Sequence, residues 1–347
     1  MASEIKVLIA GPQSVHLSNF CRGMAEFIPG FDLIGEESFD LPGIRNMLIC
    51  PFRSANTLQW ILNFFRMRAF LSTHKPDVIH IHQANRLAFV LSLAAASCKT
   101  PIILTAWGSD VLVIPKKNWF YRRITRSILR RSNITTADSN EMIQAVQQLY
   151  PEGNYVRLQY GIDPIPATSK EKIIYSNRLH QKLYRIDLII RLFADFVQKH
   201  PDWMLCVAGN GPETNYLKDL SDNLSISGKV QFMGWLDKIS NEKMYARAMF
   251  YASIPDSDGT SVSLLEAMSA GCIPVVSDLA VSHEWIESGK NGIIMQADVN
   301  PFEQAIMLDA QQVIKYNNAL IEQYALRKNT SKQFYQLYHE ILGRTVK

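Results

Sequence analysis

The chain reads as an α/β protein built from two doubly wound parallel-sheet domains in tandem. Three observations predict this. At 347 residues it is too long for one comfortable core and suits two domains of ordinary size. Short β-type runs alternate with helical patterns from the first residues onward, which implies βαβ units and a parallel sheet. The alternation then starts afresh near residue 172, giving a second cycle.

In the first cycle, Ile5 to Ala10 is a buried strand by its length and β-branched content, closed by Gly11-Pro12. Asp77 to His82 and Pro101 to Thr105 repeat the pattern, with helical stretches at Asn56 to Ser72 and Arg86 to Ser97. In the second, strands are expected at Lys172–Ser176, Leu205–Gly209, Val230–Met233, Met249–Ser253, Ile273–Ser277 and Gly292–Ile294. Arg185 to Lys199 has helical periodicity, and residues 310 to 342 look helical throughout. These patterns divide the chain into a first domain at 1–163, a proline-containing linker at 164–170, a second domain at 171–320 and a C-terminal helix at 321–347 that returns towards the first domain.

Composition narrows the class. Apolar residues are 47% and charged ones 20%, as in a soluble globular protein, and no run approaches a bilayer span of about 20 apolar residues. The first residues lack the basic, apolar and small-residue regions of a signal peptide, so a cytoplasmic location is expected. Cys21, Cys50, Cys98, Cys206 and Cys272 are scattered, with no C-x-x-C pair, and read as buried apolar residues rather than zinc ligands or disulfides. The net charge of +4 is uneven: through residue 165 there are 17 Lys and Arg against 12 Asp and Glu, and after it 19 against 20. An anionic surface is therefore the expected partner of the first half.

The stretch from Ile254 to Gly271 carries the most chemistry: a strand end, a small-residue loop and a helix starting around Val262. Gly259, Thr260, Ser261 and Ser263 leave the first N–H groups of that helix exposed, an anion site suited to a diphosphate. Glu266, one turn in, can accept hydrogen bonds from the vicinal hydroxyls of a ribose, and Asp258 can reach a sugar beyond the phosphates. The plain alternative is an N-cap at Ser261 and a solvated glutamate.

Asp258 and Glu266, followed by Ala267-Met268-Ser269-Ala270-Gly271-Cys272-Ile273-Pro274-Val275-Val276, resemble the acidic-x7-acidic motif of retaining GT-B glycosyltransferases of family 4, group 1, including bacterial surface-polysaccharide transferases. The first acid is more often glutamate in that family. Asn177-Arg178-Leu179 with Lys182 is similar to the element whose arginine and lysine hold the donor's pyrophosphate, although Tyr184-Arg185 stands where a glycine is usual, which leaves Lys182 or Arg185 as second cation. Gly209, Asn210 and Gly211 match a strand-ending Gly-x-Gly-Pro loop, and Trp235 and Leu236 resemble the loop that lines the nucleotide base. In the first half, Gly11 to His16 corresponds to the first strand-to-helix loop, and Gln159 to Asp163 resembles the interdomain hinge. Thr105-Ala106-Trp107-Gly108-Ser109-Asp110 departs from the family's Thr-x-His-Gly-x-Asp: Trp107 replaces the histidine that touches the donor sugar. His16, His80 and His82, with Trp107 and Asp110, are the remaining candidates for contacts to acceptor or sugar, and a lone histidine at a strand end is more often structural.

The resemblance implies a GT-B fold, two Rossmann-like domains facing a central cleft with C-terminal helices. The donor is a nucleotide-diphosphate sugar, with UDP expected from its frequency in the family, and the acceptor is lipid-linked or a surface polysaccharide, as in lipopolysaccharide synthesis. Val262 and its neighbours bind the diphosphate together with Arg178 and Lys182, which stabilise the leaving group. Front-face attack, with the leaving phosphate accepting the acceptor's proton, accounts for the lack of an obvious base. Asp256-Ser257-Asp258 looks like the metal-binding Asp-x-Asp of another glycosyltransferase fold, but a helix start and cations already neutralise the phosphates, so no metal and no cofactor are expected.

From Lys116 to Arg131 there are seven cations and no acid: Lys116, Lys117, Arg122, Arg123, Arg126, Arg130 and Arg131, interleaved with Trp119, Phe120, Tyr121 and Ile124. On a helix this pattern fits a peripheral contact with the inner face of an anionic membrane, each cation adding about 1 kcal/mol. A solvated helix face is the plain alternative. No nucleic-acid motif accompanies the patch, so nucleic acid is not expected as a partner. A dinucleotide oxidoreductase would need G-x-G-x-x-G after the first strand, where the chain reads Gly11-Pro12-Gln13-Ser14-Val15-His16. A sugar-nucleotide epimerase or hydrolase, or a non-catalytic binding protein, remains the rival class on the same scaffold.

Overall fold

The computed structural model describes residues 5–38, 40–52 and 57–344. These form two compact units. The first comprises the described residues up to Gly161 together with those from Arg327 onward, and the second is Ile162–Leu326.

The first unit has seven strands: β1 (Val7–Ala10), β2 (Phe31–Gly35), β3 (Ile44–Ile49), β4 (Val78–His82), β5 (Ile102–Thr105), β6 (Ile134–Ala137) and β7 (Tyr155–Arg157). They lie in the order β3-β2-β1-β4-β5-β6-β7, and all pairings are parallel. Leu8 and Ala10 enter one core and Val7 and Ile9 another. Both faces are thus covered, which is why β1 reads as an unbroken apolar run rather than an alternation. The Thr57–His74 helix and the Arg86–Ala94 helix pack against one face. The Val15–Met24 helix and the C-terminal Arg327–Ile341 helix supply Phe20, Phe334, Leu337 and Tyr338 to the other.

The second unit has six: β8 (Glu171–Ser176), β9 (Met204–Ala208), β10 (Val230–Gly234), β11 (Ala248–Ser253), β12 (Ile273–Val276) and β13 (Ile293–Ile294). Their order is β10-β9-β8-β11-β12-β13, again parallel. Ile174 faces one core, and Ile173 and Tyr175 the other.

The structure departs from the sequence reading in three places. Residues 164–170, expected as a linker, are stitched into the second unit: Ile165 is buried and its N–H donates to Ser269 Oγ at 3.2 Å, and Lys170 Nζ donates to the carbonyls of Tyr245 and Ala270. The helical stretch from 310 to 342 is two helices, Ala310–Tyr324 and Arg327–Ile341, broken at Ala325-Leu326 where the chain leaves the second unit. The C-terminal segment therefore joins the first unit at Arg327, not at 321. Strands β2, β3, β6 and β7 were not anticipated. The helix expected from Asn56 begins at Thr57, Asn56 itself lying outside the described residues.

Candidate active site

Each sheet reverses its winding once, and such switch points are where open α/β sheets bind ligands, beyond the carboxyl ends of the strands. In the second unit the reversal lies between β8 and β11. β8 runs into Asn177-Arg178, and β11 runs into the loop that carries Asp258 to Ser261.

That loop ends in the Val262–Ser269 helix, whose N-cap is Ser261, with Oγ accepting from the Leu264 N–H. Arg178 reaches the same point. One guanidinium nitrogen donates to Ser261 Oγ at 2.6 Å and another to Asp258 Oδ2 at 2.7 Å, while the guanidinium lies 4.4 Å from the centre of the Tyr184 ring. A cation at a helix N-terminus is at the electrostatically unfavourable end, because the orphan N–H groups there are already positive. Asp258 offsets it, and also accepts from the Gly259 N–H at 3.0 Å. Burial pushes the Asp258 carboxyl above its ordinary range, against the opposing pull of Arg178 and that N–H. A guanidinium, a set of helix-start amides and a single partly buried carboxylate thus converge on one place. An anion with more oxygens than Asp258 would satisfy more of those donors.

Asp256 and Asp258 do not converge on a common point. Asp256 pairs with Arg185 at 2.8 Å and Asp258 with Arg178, so each aspartate of the Asp-x-Asp is held by its own arginine. Arg185 sits in the left-handed region, φ 50° and ψ 39°, where glycine is favoured and where the family resemblance expected one. Lys182 is exposed and lines, with Arg185, Asp256 and Glu213, a cavity of about 580 Å³. Arg178 stands at the helix start; of the two residues expected as second cation, Arg185 is held by Asp256 and Lys182 lines the cavity beside it.

Glu266 is half-buried one turn into the helix, close enough to Tyr175 and Tyr245 for its charge to add to the burial that raises both hydroxyls. These tyrosines belong to a support that the sequence reading missed. Asn177 Nδ2 donates to Asn241 Oδ1 at 3.1 Å and to the Tyr245 hydroxyl at 2.6 Å, and the Tyr251 hydroxyl donates to Asn177 Oδ1 at 3.1 Å. Tyr175 bonds the same Asn241 oxygen. The network fixes Asn177 and so the direction in which Arg178 leaves β8. The only sequence signal was three tyrosines among apolar positions.

Gly209 and Gly211 act on Arg178 from behind. A Cβ at Gly209 (φ 107°) would stand 2.6 Å from the Arg178 carbonyl oxygen, and one at Gly211 would stand 2.3 Å from that of His180. The His180 N–H donates to the Asn210 carbonyl at 3.2 Å. The two loops press backbone to backbone, which only glycine permits. Trp235 follows Gly234 and is 72% exposed, whereas Leu236 packs on the core. Gly259 has open space where a side chain would be, and Val262, Thr260 and Ser263 are not buried.

In the first unit the reversal lies between β1 and β4. Gly11 serves packing here: a Cβ would come within 3.0 Å of His82 Cβ. His82 is fully buried, burial holds it neutral well below its ordinary pKa, and neither ring nitrogen has a hydrogen-bond partner. Its ring lies 6.4 Å from Trp107 and 6.0 Å from Tyr160, and the exposed His16 lies 5.6 Å and 5.9 Å from the same two. Trp107 Nε1 and the Tyr160 hydroxyl are also buried, and the indole opposes the burial that raises the Tyr160 hydroxyl. His16, His82 and Trp107 are thus brought together, joined by Tyr160, which sequence reasoning passed over. His80 is structural: its nitrogens bond the Tyr338 hydroxyl and Thr105 Oγ1, each at 2.7 Å, and burial lowers its pKa to about 3. Asp110 is buried and accepts from the N–H groups of Ala84 (2.7 Å) and Trp107 (3.0 Å), so it shapes the loop.

Lys116 and Lys117 end a short turn, and Asn118 caps the Trp119–Arg131 helix by accepting from the Tyr121 N–H at 3.0 Å. Thr125, Ile128 and Leu129 face the core, and Trp119, Arg122, Arg123 and Arg126 are exposed. Among the described residues no helix is long and apolar enough to cross a membrane.

Two family descriptions match the chain: Glycosyl transferase 4-like over residues 7–139 and Glycosyl transferases group 1 over residues 163–332. The chain is 25% identical to the N-acetyl-alpha-D-glucosaminyl L-malate synthase of Bacillus anthracis, over 77% of this chain and 75% of that protein. It is 21% identical to the phosphatidyl-myo-inositol mannosyltransferase of Mycobacterium tuberculosis, over 78% of this chain and 72% of that protein. Among solved structures, Anabaena HepE in complex with UDP superposes with a TM-score of 0.76 at 15% identity, over 96% of this chain and 99% of that one. The paired parallel sheets, the helix start at the second switch point and the two family matches together make this chain a glycosyltransferase of group 1, with the GT-B fold.

Proposed function

We propose that this enzyme is a retaining, metal-independent hexosyltransferase. It takes a sugar from a UDP-linked donor and passes it to a lipid-linked or surface-polysaccharide acceptor, while resting peripherally on the anionic inner face of the membrane. The observation that carries the reading is the Arg178 guanidinium at the start of the Val262–Ser269 helix, balanced by one carboxylate. The UDP bound in HepE and the lipid acceptor named in the mannosyltransferase support it.

In this reading the donor's diphosphate replaces Asp258 on Arg178. The guanidinium and the helix-start amides then stabilise negative charge as the bond from the anomeric carbon to the phosphate oxygen breaks. Asp258, released, turns to the sugar, and Glu266 accepts hydrogen bonds from the ribose hydroxyls. The acceptor oxygen attacks from the face the phosphate leaves, and the phosphate takes its proton. A guanidinium and helix-start amides that meet the diphosphate, with Asp256 still held by Arg185, support a site that works without a metal.

Thermal-shift titration with UDP and UDP-hexoses tests the site, because a ligand bound only by the folded state raises the midpoint. UDP is expected to raise it, and Glu266→Ala to weaken donor binding at least tenfold. Wild-type turnover and donor affinity in that variant would remove the assignment. Activity lost in a chelator and restored by manganese would remove metal independence, and inversion of the anomeric proton coupling in the product would remove retention.

A further inference from the structure

The Thr57–His74 helix is apolar on two opposite sides. Its inner side is complete: Asn63, Met67 and Leu71 are buried, and Trp60 and Phe64 pack on the same core. Its outer side carries Leu58 (62% exposed), Ile61 (49%), Leu62 (48%) and Phe65 (61%). Their spacing is i, i+3, i+4, i+7, one stripe about 100° wide. Four large apolar side chains in such a row are not the scattered exposure that soluble surfaces tolerate.

What covers the row follows from its neighbours. Trp60 of this helix and Phe120, Tyr121 and Ile124 of the Trp119–Arg131 helix line one cavity of about 500 Å³, so the two helices border the same space. Neither segment, 57–74 or 116–131, contains a single Asp or Glu, and between them they carry nine Lys and Arg. Trp119, 72% exposed, stands at the start of the second helix. A second copy of this chain docking on its own like surface would bring cations against cations. An anionic bilayer meets both demands, with acyl chains for the row and headgroups for the cations.

We propose that Leu58, Ile61, Leu62 and Phe65 insert into the acyl boundary of an anionic membrane, with the Trp119–Arg131 helix holding the headgroups beside them. This deepens the membrane part of the function proposed above and rests on it. Attraction by cations alone weakens as salt rises, whereas an inserted apolar row holds.

The test is co-sedimentation of the full chain with vesicles of equal phosphatidylglycerol and phosphatidylcholine, and with pure phosphatidylcholine, at 0.1 M and 0.5 M salt. Wild type is expected to bind the anionic vesicles and to retain a measurable part of that binding at high salt. Ile61→Gln/Phe65→Gln, and separately Leu58→Gln/Leu62→Gln, are each expected to weaken binding at least tenfold and to abolish the salt-resistant part. Their UDP-induced shifts should match wild type, since the row lies away from Arg178 and the Val262–Ser269 helix, and their melting temperatures should fall only slightly, since the row meets the core only where Phe65 stands edge-on to Phe64. Arg122→Glu/Arg123→Glu/Arg126→Glu should weaken binding at low salt. If both glutamine variants bind like wild type while the glutamate variant does not, insertion is overturned and membrane attraction stands. If wild type sediments with neither vesicle, both fall. If wild type is a dimer in solution that the glutamine variants convert to monomer, a second copy covers the row and the proposal fails.

Discussion

Arg178 offers the sharpest test, because its removal has two separable consequences for the proposed UDP site. In the resting enzyme the guanidinium is shared between Ser261 and Asp258. Arg178→Ala deletes a charge-assisted hydrogen bond to the diphosphate, worth about 2 kcal/mol. It also strips Asp258 of its counter-charge. An ionised carboxylate about 5 Å from a phosphate, at an effective dielectric of about 20, repels it by roughly 3 kcal/mol, reduced where solvent reaches the pair. Loss of UDP affinity should therefore fall between about 30-fold and a few thousand-fold. The second consequence fixes the sign of a companion change. Asp258→Asn in the wild-type background frees Arg178 and should tighten UDP at least roughly fivefold, about 1 kcal/mol being the worth of an exposed pair and these side chains being only 11% and 23% exposed, while turnover collapses with the proposed sugar contact. In the Arg178→Ala background the same substitution should recover at least tenfold of the lost affinity. Isothermal titration with UDP measures all four proteins. The reasoning is refuted if Arg178→Ala binds UDP within twofold of wild type, or if Asp258→Asn loosens UDP as much as Arg178→Ala does.

Three further outcomes follow from the same geometry. His80 and His82 are buried and neutral with lowered pKa values, so the unfolded chain binds their protons first, and stability is full above pH 6.5 and falls as pH drops towards the folded values. Urea unfolding should show a loss of about 1 kcal/mol per histidine between pH 7 and 5.5, and a His80→Gln variant should show a smaller slope. Gly211→Ala places a methyl 2.3 Å from the His180 carbonyl oxygen and should cost about 2 to 4 kcal/mol in chemical denaturation, with donor affinity falling alongside as Arg178 shifts. Arg185→Gly relieves a left-handed backbone while losing an exposed ion pair, so stability should stay within about 1 kcal/mol of wild type; Arg185→Val, β-branched in that conformation, should fall further by at least about 1 kcal/mol.

Much of this site was legible because its signals are local. The stretch from Met249 through Glu266 announces a strand, a small-residue loop and a helix, and the structure gives those elements in that order. Arg178 was found by the resemblance of Asn177-Arg178-Leu179 to the family's element, just beyond the strand expected at Lys172–Ser176. The strands that escaped lack such contrast. β2 is five residues interrupted by Asp32 and ended by a glycine, β3 is an edge strand with Arg45 and Asn46 exposed, β6 is buried yet half threonine, and β7 is three residues long, so none shows an unbroken apolar run or clean alternation in sequence. The tyrosine and asparagine network behind Arg178 was invisible for another reason. Asn177 and Asn241 are 64 residues apart, and nothing local says that an asparagine in one helix will hold another at a strand end. The supposed linker misled because prolines in an aperiodic stretch read alike whether the backbone floats or is tied down by Ser269, Ala246 and Tyr245.

Tyr338 reaches back 258 residues to close the hydrogen bond on His80, and Phe334 meets Phe20 edge-on at 5.1 Å. One of the two cores of the first unit is therefore incomplete until the Arg327–Ile341 helix has left the ribosome. A fragment ending at residue 161 would carry all seven of its strands and still present an open apolar face, with one imidazole nitrogen of His80 unanswered beneath it. Trimming the tail from Arg327 onward should cripple the half of the enzyme that was synthesised first.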